Sequence, residues 1–197
     1  MTSQQSPSGA RRVLAAARKA PLLSMVFRRL DLRQQEIVAM LKRTPLFADL
    51  TDSELIEILH LLHERAFARG ETIFSEGEPG LGVYVVFKGE VEIGKVTGDG
   101  KGNLARLGPG EVFGEVSFLD GSGRSATTTA ETRTELIGFY RTELRELLEN
   151  KPAIASKILF ALARQLGMRL RATNRQLGEK MATGRDVEGE TTLGRVV

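Results

Sequence analysis

The sequence predicts a mainly β fold with flanking α: a jelly-roll β-barrel (a double-stranded β-helix) with N-terminal helices and a long C-terminal helix. Three observations predict it. Between residues 71 and 140, short segments rich in Val, Ile, Phe and Thr alternate with glycine turns, the punctuation of a sandwich or barrel. On either side the apolar spacing becomes helical, through Leu32, Ile37, Met40 and Leu41 before it and Ile154, Ile158, Leu162, Leu166 and Leu170 after it. A jelly roll closes two sheets against each other and suits that many short strands.

Taken in order, residues 1–45 read as a basic N-terminal extension. Its start (TSQQSPSG, 2–9) is polar with Pro and Gly and is expected to be disordered, whereas 31–43 is expected to be helical and to close at Pro45. Thr51 and Glu54 make a capping-box pattern. The helix it starts is expected to bury Leu55, Ile58, Leu59 and Leu62 and to end near Glu64. Strands are expected at Glu71–Ser75, Gly82–Lys88, Glu90–Val96, Asn103–Leu107, Ser125–Ala130 and Glu135–Tyr140, so the barrel domain spans 46–150. Thr142–Glu149 reads as a short helix. Pro152 suits the first turn of a long one, assigned to 151–182 as a lid or dimer helix, with 183–197 as a flexible tail.

Composition narrows the function classes. The 197 residues contain no cysteine and two histidines, His60 and His63, which removes disulfides, thiolate sites and cysteine nucleophiles. The histidines lie three apart on an expected helix, but no third ligand follows, so metal is not expected. No Ser-His-acid set or phosphate-binding Walker loop appears, and no catalytic residue is assigned. The net charge of +3 is uneven. Residues 1–45 carry +7, residues 46–151 carry −8 and residues 152–197 carry +4. An acidic body is a poor general surface for nucleic acid, and any anion it holds must be caught at a local site. No apolar run approaches the ~20 residues of a membrane span. The first 30 residues contain no acid, which leaves two settings open: a cytoplasmic protein with a basic amphipathic start, or an organelle-targeted one.

One segment carries chemistry: Gly108-Pro-Gly-Glu-Val-Phe-Gly-Glu-Val-Ser-Phe-Leu-Asp-Gly-Ser-Gly-Arg-Ser-Ala-Thr-Thr128. Phe113 reads as a buried anchor that ends a strand. Gly114 allows a tight turn with free N–H groups, and Glu115–Phe118 can form a helical turn whose amides attract an anion. Arg124 supplies a charged donor, with the Ser125 hydroxyl and the Ala126 amide beside it. Glu115 is an acid inside an anion site, which makes sense if the ligand also offers hydroxyl donors, as a ribose does.

This segment resembles the phosphate-binding cassette of the cyclic nucleotide-binding domain family, found in bacterial catabolite activators, cAMP-dependent kinase regulatory subunits and cyclic-nucleotide-gated channels. The match runs through Phe113, Gly114, Glu115, Ser117, Leu119, Arg124, Ser125, Ala126 and Thr127. The resemblance extends from Leu41 to about residue 170, through Leu41–Phe47 with Leu50, Gly70–Gly77 and Val91–Ile93. It implies that Glu115 accepts the ribose 2′-hydroxyl with Gly114 and Val116 beside it. It implies that Arg124, Ser125 and Ala126 hold the cyclic phosphate, and that Leu104 and Leu107 pack the purine. The helix after Pro152 would close on the base, with Arg164 or Phe160 as candidate caps. The chain departs from the family's pattern at Phe118, at Leu81 and at Thr128, where the family has an aliphatic residue.

The expected function is therefore a non-enzymatic sensor for cAMP or cGMP. It would pass ligand binding through its C-terminal helix to an unknown effector protein or to a homodimer interface. The alternative is a degenerate scaffold that binds partners without ligand. No cofactor is expected, and no DNA contact, because the segment after the long helix is too short for a helix-turn-helix module.

Overall fold

In the computed structural model, the described residues are 30–97 and 100–191, with side chains over 30–95, 105–175 and 177–179. The expected disordered start at 2–9 and the acid-free segment lie outside them.

Helix α1 (Leu32–Leu41) is capped by Asp31, whose carboxylate accepts from the Gln34 N–H at 2.7 Å while the Gln34 side chain accepts from the Asp31 N–H at 3.2 Å. The Thr51–Glu54 capping box starts helix α2 (Asp52–Ile58) as its sequence demands. This helix stops sooner than expected. A single 3₁₀ turn at Leu59–Leu61 follows, and strand β1 occupies His63–Phe67. Good helix formers in HERAF lose to antiparallel pairing with a strand 70 residues later in the barrel (His63↔Gly138 to Phe67↔Thr134). His63 is thus a strand residue; its Nε2 lies 2.9 Å from Glu143 Oε1 and its ring packs on Tyr140. Among the described residues no group of three potential metal ligands occurs.

The remaining strands are β2 (Thr72–Phe74), β3 (Gly82–Lys88), β4 (Val91–Thr97), β5 (Gly100–Leu107), β6 (Val112–Phe113), β7 (Thr127–Ala130) and β8 (Thr134–Tyr140). They form two antiparallel four-stranded sheets, β1-β8-β3-β6 and β2-β7-β4-β5. The expected jelly roll is what forms, with β1 as an addition to the strands read from sequence and the strand expected to end at Phe113 present as the two-residue β6. Between the sheets sit Phe67, Phe74, Val86, Val91, Leu107, Phe113, Ala130 and Leu136, with Tyr84 and Ile93 packed against them.

The first sheet is covered on its outer face as well. Phe139 meets Phe47 edge-on at 6.3 Å, and Phe118 of a short helix α3 (Glu115–Asp120) lies 6.1 Å away. Arg33 of α1 lies 4.2 Å over the Phe87 ring and bonds Glu64 and Glu135 at 2.7 and 2.6 Å. Helix α4 (Arg141–Asn150) and the long helix α5 (Pro152–Thr191) follow β8. Lys157 of α5 bonds Glu54 at 2.7 and 2.8 Å, tying α5 to the end of the α2 capping box.

Two compact units divide within α5, one up to Ala161 and one from Leu162. Within the second unit the helix continues to Thr191, past the boundary at 182 read from sequence, so that 183–191 is helical rather than a loose tail. The last residues, 192–197, lie outside the described set. Met168, Leu170 and Leu177 are exposed on this unit, as are Arg169, Arg171 and Arg175.

Candidate functional site

The chain crosses from one sheet to the other between β6 and β7, and the candidate site is built on that crossing. Phe113 ends β6 fully buried, stacked on Tyr84 at 5.5 Å and beside Phe74 at 5.8 Å. Gly114 then adopts φ 79°, ψ 11° as the N-cap of α3. A side chain there would meet both the left-handed backbone penalty and Arg124, whose Nη1 stands 2.5 Å from where a Cβ would lie. Glycine is therefore required twice over.

Helix α3 presents Glu115 fully buried and Val116 partly exposed. Its far end is held by a residue the sequence did not mark. Arg141, the first residue of α4, donates from Nε to the Phe118 carbonyl at 2.7 Å and from Nη2 to the Ser117 carbonyl at 2.8 Å. Both lie in the last turn of the helix, where carbonyls have acceptor capacity left over; the Ser117 carbonyl also accepts from the Gly121 N–H at 3.2 Å. No local pattern signals this contact, because 23 positions separate the partners.

Arg124 is the centre of the site. Only 5% of it is exposed. Its Nη1 donates to the Gly114 carbonyl at 2.9 Å and to Ser117 Oγ at 3.1 Å, and its Cζ lies 4.1 Å from the Phe74 centroid. Nε is buried with no hydrogen-bond partner among the described residues. Burial pulls the guanidinium below its ordinary pKa, while the hydroxyls of Tyr84 and Tyr140 and the carboxylates of Glu78 and Glu115 pull it back up. Tyr84, by contrast, is pushed up to about 12 by burial and by its hydrogen bond with Tyr140. An arginine stays protonated under these conditions, so the crossing holds a buried cation with a donor to spare.

The backbone of Arg124 is clamped by the loop between β2 and β3. Gly77 N–H donates to the Arg124 carbonyl and Arg124 N–H to the Glu78 carbonyl, both at 2.8 Å, and Pro79 bridges to Gly123. Gly123 and Gly80 are needed for this approach. A Cβ on Gly123 would stand 2.8 Å from the Gly77 carbonyl oxygen, and one on Gly80 2.2 Å from Ser117 Cβ. The Gly77–Gly80 run reads in sequence only as a turn; its role as the clamp needs the fold.

The other expected residues are placed as follows. Ser125 is exposed, Ala126 is 5% exposed, and Leu107 is in the core between the sheets. Leu104 lies in β5, and its side chain falls outside the described residues. The structure thus brings Gly114, Glu115 and Arg124 together at α3, with Ala126 following into β7. Phe160 is 68% exposed.

In chain order, the site is thus a left-handed glycine at a helix start, a buried glutamate and a buried arginine. Residues 64–151 match the family described as the cyclic nucleotide-binding domain. This stretch of the chain is a cyclic nucleotide-binding domain.

Its relatives agree. It is 41% identical over 120 residues to a chain described as a potassium channel protein of Rhodopseudomonas palustris, covering 61% of this chain and 29% of that one. It is 35% identical over 151 residues to the CRP-like cAMP-activated global transcriptional regulator of Mycobacterium tuberculosis, covering 76% and 65%. Among solved structures, a cyclic nucleotide-binding domain from Methylobacillus flagellatus superposes with a TM-score of 0.67 at 29% identity, covering 75% of this chain and 84% of that one. The chain therefore spans between about a third and two thirds of the length of these two curated relatives. Among the described residues no helix is long and apolar enough to cross a membrane.

Proposed function

We propose that the chain is a cytoplasmic, non-enzymatic sensor that binds cAMP or cGMP at the β6–β7 crossing and passes occupancy to a partner protein or a second copy through α5. The observation that carries this reading is the Arg124 guanidinium, enclosed at the start of α3 with its Nε unbonded among the described residues. A buried cation is expensive unless an anion meets it, and a cyclic phosphate is an anion of the right size. Arg124, the exposed Ser125 hydroxyl and the Ala126 amide would hold the phosphate. Gly114, Glu115 and Val116 would face the ribose, and Leu104 and Leu107 the base. The name of the mycobacterial relative, cAMP-activated, favours cAMP, while a hydroxyl at Ser125 suits either purine.

Calorimetry with cAMP, cGMP and cyclic di-GMP tests the reading. Arg124→Ala removes charged hydrogen bonds worth roughly 1.5–3 kcal/mol, so affinity is expected to drop by about 10- to 100-fold or more with the fold retained. Glu115→Gln should cost less, and its penalty should shrink on a 2′-deoxy analogue. Unchanged affinity in Arg124→Ala would remove the site.

Output through α5 rests on Leu170 and Leu177, exposed and seven residues apart on one face of the helix, because exposed apolar stripes usually find a partner. Light scattering on the full chain should show a dimer that Leu170→Arg plus Leu177→Arg dissociates. A monomer in both would leave a separate effector protein as the receiver.

A further inference from the structure

Strand β7 sends Thr128 and Ala130 inward, since alternate residues share a face, and Ala126 just before it is buried in the same alternation. Ala130 belongs to the core between the sheets, and its two companions are 5% and 1% exposed. Thr128 is the polar member of this row. Its register partners are Phe74 on β2 and Ile93 on β4, both apolar. Its Oγ1 is buried with no hydrogen-bond partner among the described residues. The outward neighbour shows the contrast: Thr127 Oγ1 accepts from the Glu76 N–H at 3.0 Å.

A hydroxyl enclosed without a partner is costly, and valine has the same shape without that cost. The position of Thr128 suggests what meets it. Phe74, its register partner, is the ring over which the Arg124 guanidinium lies at 4.1 Å. Cation and hydroxyl thus flank one aromatic ring inside the barrel. From Ala126 to Thr128 the strand advances by about 7 Å, of the same order as the separation between phosphate and base across a ribose. A ligand held by its phosphate at Arg124 and the Ala126 amide would extend its base toward Thr128.

We propose that Thr128 Oγ1 is a specificity-determining ligand group, hydrogen-bonding the edge on which adenine and guanine differ in a cyclic mononucleotide bound inside the barrel. The proposal rests on the reading of this site as a cyclic-nucleotide site. A hydroxyl both donates and accepts, so it can meet an exocyclic amino group or a carbonyl. Its rotamer decides which.

The experiment is calorimetry of the full chain and of Thr128→Val and Thr128→Ser with cAMP and cGMP, beside thermal melts of the free proteins. Thr128→Val is expected to weaken the better-bound nucleotide by about 3- to 10-fold, as loss of one neutral hydrogen bond does. The other nucleotide should change little, so the cAMP-to-cGMP ratio shifts by the same factor, and Thr128→Ser should restore it. The free Thr128→Val protein should melt about 2–4 °C higher, because the enclosed hydroxyl is gone. An unchanged ratio, equal losses for both nucleotides, or a lower melting temperature would overturn the proposal while leaving the site in place. A wild-type chain that binds neither nucleotide would overturn the cyclic-nucleotide reading and this proposal with it.

Discussion

The two sheets of the barrel are written in different sequence codes because they meet different surroundings. The β1-β8-β3-β6 sheet is buried on both faces over its centre. Its strands accordingly read as nearly unbroken apolar runs, Val83-Tyr-Val-Val-Phe87 and Leu136-Ile-Gly-Phe139. The β2-β7-β4-β5 sheet buries one face. There Val91 and Ile93 face the core, while Glu92 and its partner Arg106 stand on the other side, where Arg106 forms a surface ion pair with Glu131 at 2.8 Å. Alternation is therefore a report on solvent, not on strand formation itself. The candidate site lies where the chain leaves the first sheet at β6 and enters the second at β7, which lets one loop gather groups from both.

This contrast makes the largest prediction fall on the doubly buried sheet. Phe139→Ala empties a position that is 1% exposed and touched by Phe47 and Phe118. Urea unfolding should show a loss of about 3–5 kcal/mol. Because Phe118 belongs to α3, nucleotide affinity should fall as well. A loss below 1 kcal/mol would mean that the outer face of that sheet is not packed as described.

Next comes the crossing itself. Gly114→Ala forces a side chain into a left-handed backbone, worth about 1–2 kcal/mol, and pushes on Arg124. Binding measured by calorimetry should fall more than stability measured by urea, since the displaced group is the cation of the site. Equal losses would tie Gly114 to folding alone.

A smaller effect is expected from acid, and it again singles out the first sheet. The Arg33 guanidinium holds the Glu135 carboxyl below its ordinary 4.5. Burial raises Glu54, but hydrogen bonds from Lys157 and Thr51 outweigh it and keep it low too. Carboxyls depressed in the folded state add stability that is complete above about their ordinary value and fades as pH falls through the folded values. Melting temperature should thus be flat near neutrality and decline below about pH 4.5, and Glu135→Gln should flatten that decline. A decline of the same slope in Glu135→Gln would show that the α1–sheet contact contributes nothing.

The smallest effect belongs to the solvent face of the second sheet. Arg106→Ala breaks an ion pair whose arginine side chain is 62% exposed, and such pairs are worth about 0–1 kcal/mol. Salt should erase the difference. A larger change by urea unfolding would mean that this face is covered.

Some of this was legible residue by residue. The Thr51–Glu54 box and the glycine-punctuated strands follow rules that act within a few residues, and they appear where those rules put them. The helix expected to run to about Glu64 gives way to a strand at His63, because pairing with β8, not local propensity, sets His63–Phe67. Within the site, Gly114, Glu115 and Arg124 could be named from one ordered segment. Arg141 and the Gly77–Gly80 clamp could not, since their partners are remote in the chain.

The sequence by itself determined the glycine-punctuated strands between residues 71 and 140, the capping residue Thr51, and the eleven-residue segment from Gly114 to Arg124 within which the site's charges must fall. Those depend on hydrogen bonds and backbone dihedrals set between near neighbours. Only the tertiary structure decided which faces of the strands are dry, that Arg124 is enclosed over Phe74 with its Nε unbonded among the described residues, and that the Thr128 hydroxyl is buried without a partner among them, on a strand registered against Phe74 and Ile93. Burial is a property of what other segments bring alongside. A residue's own neighbours in the chain cannot specify it.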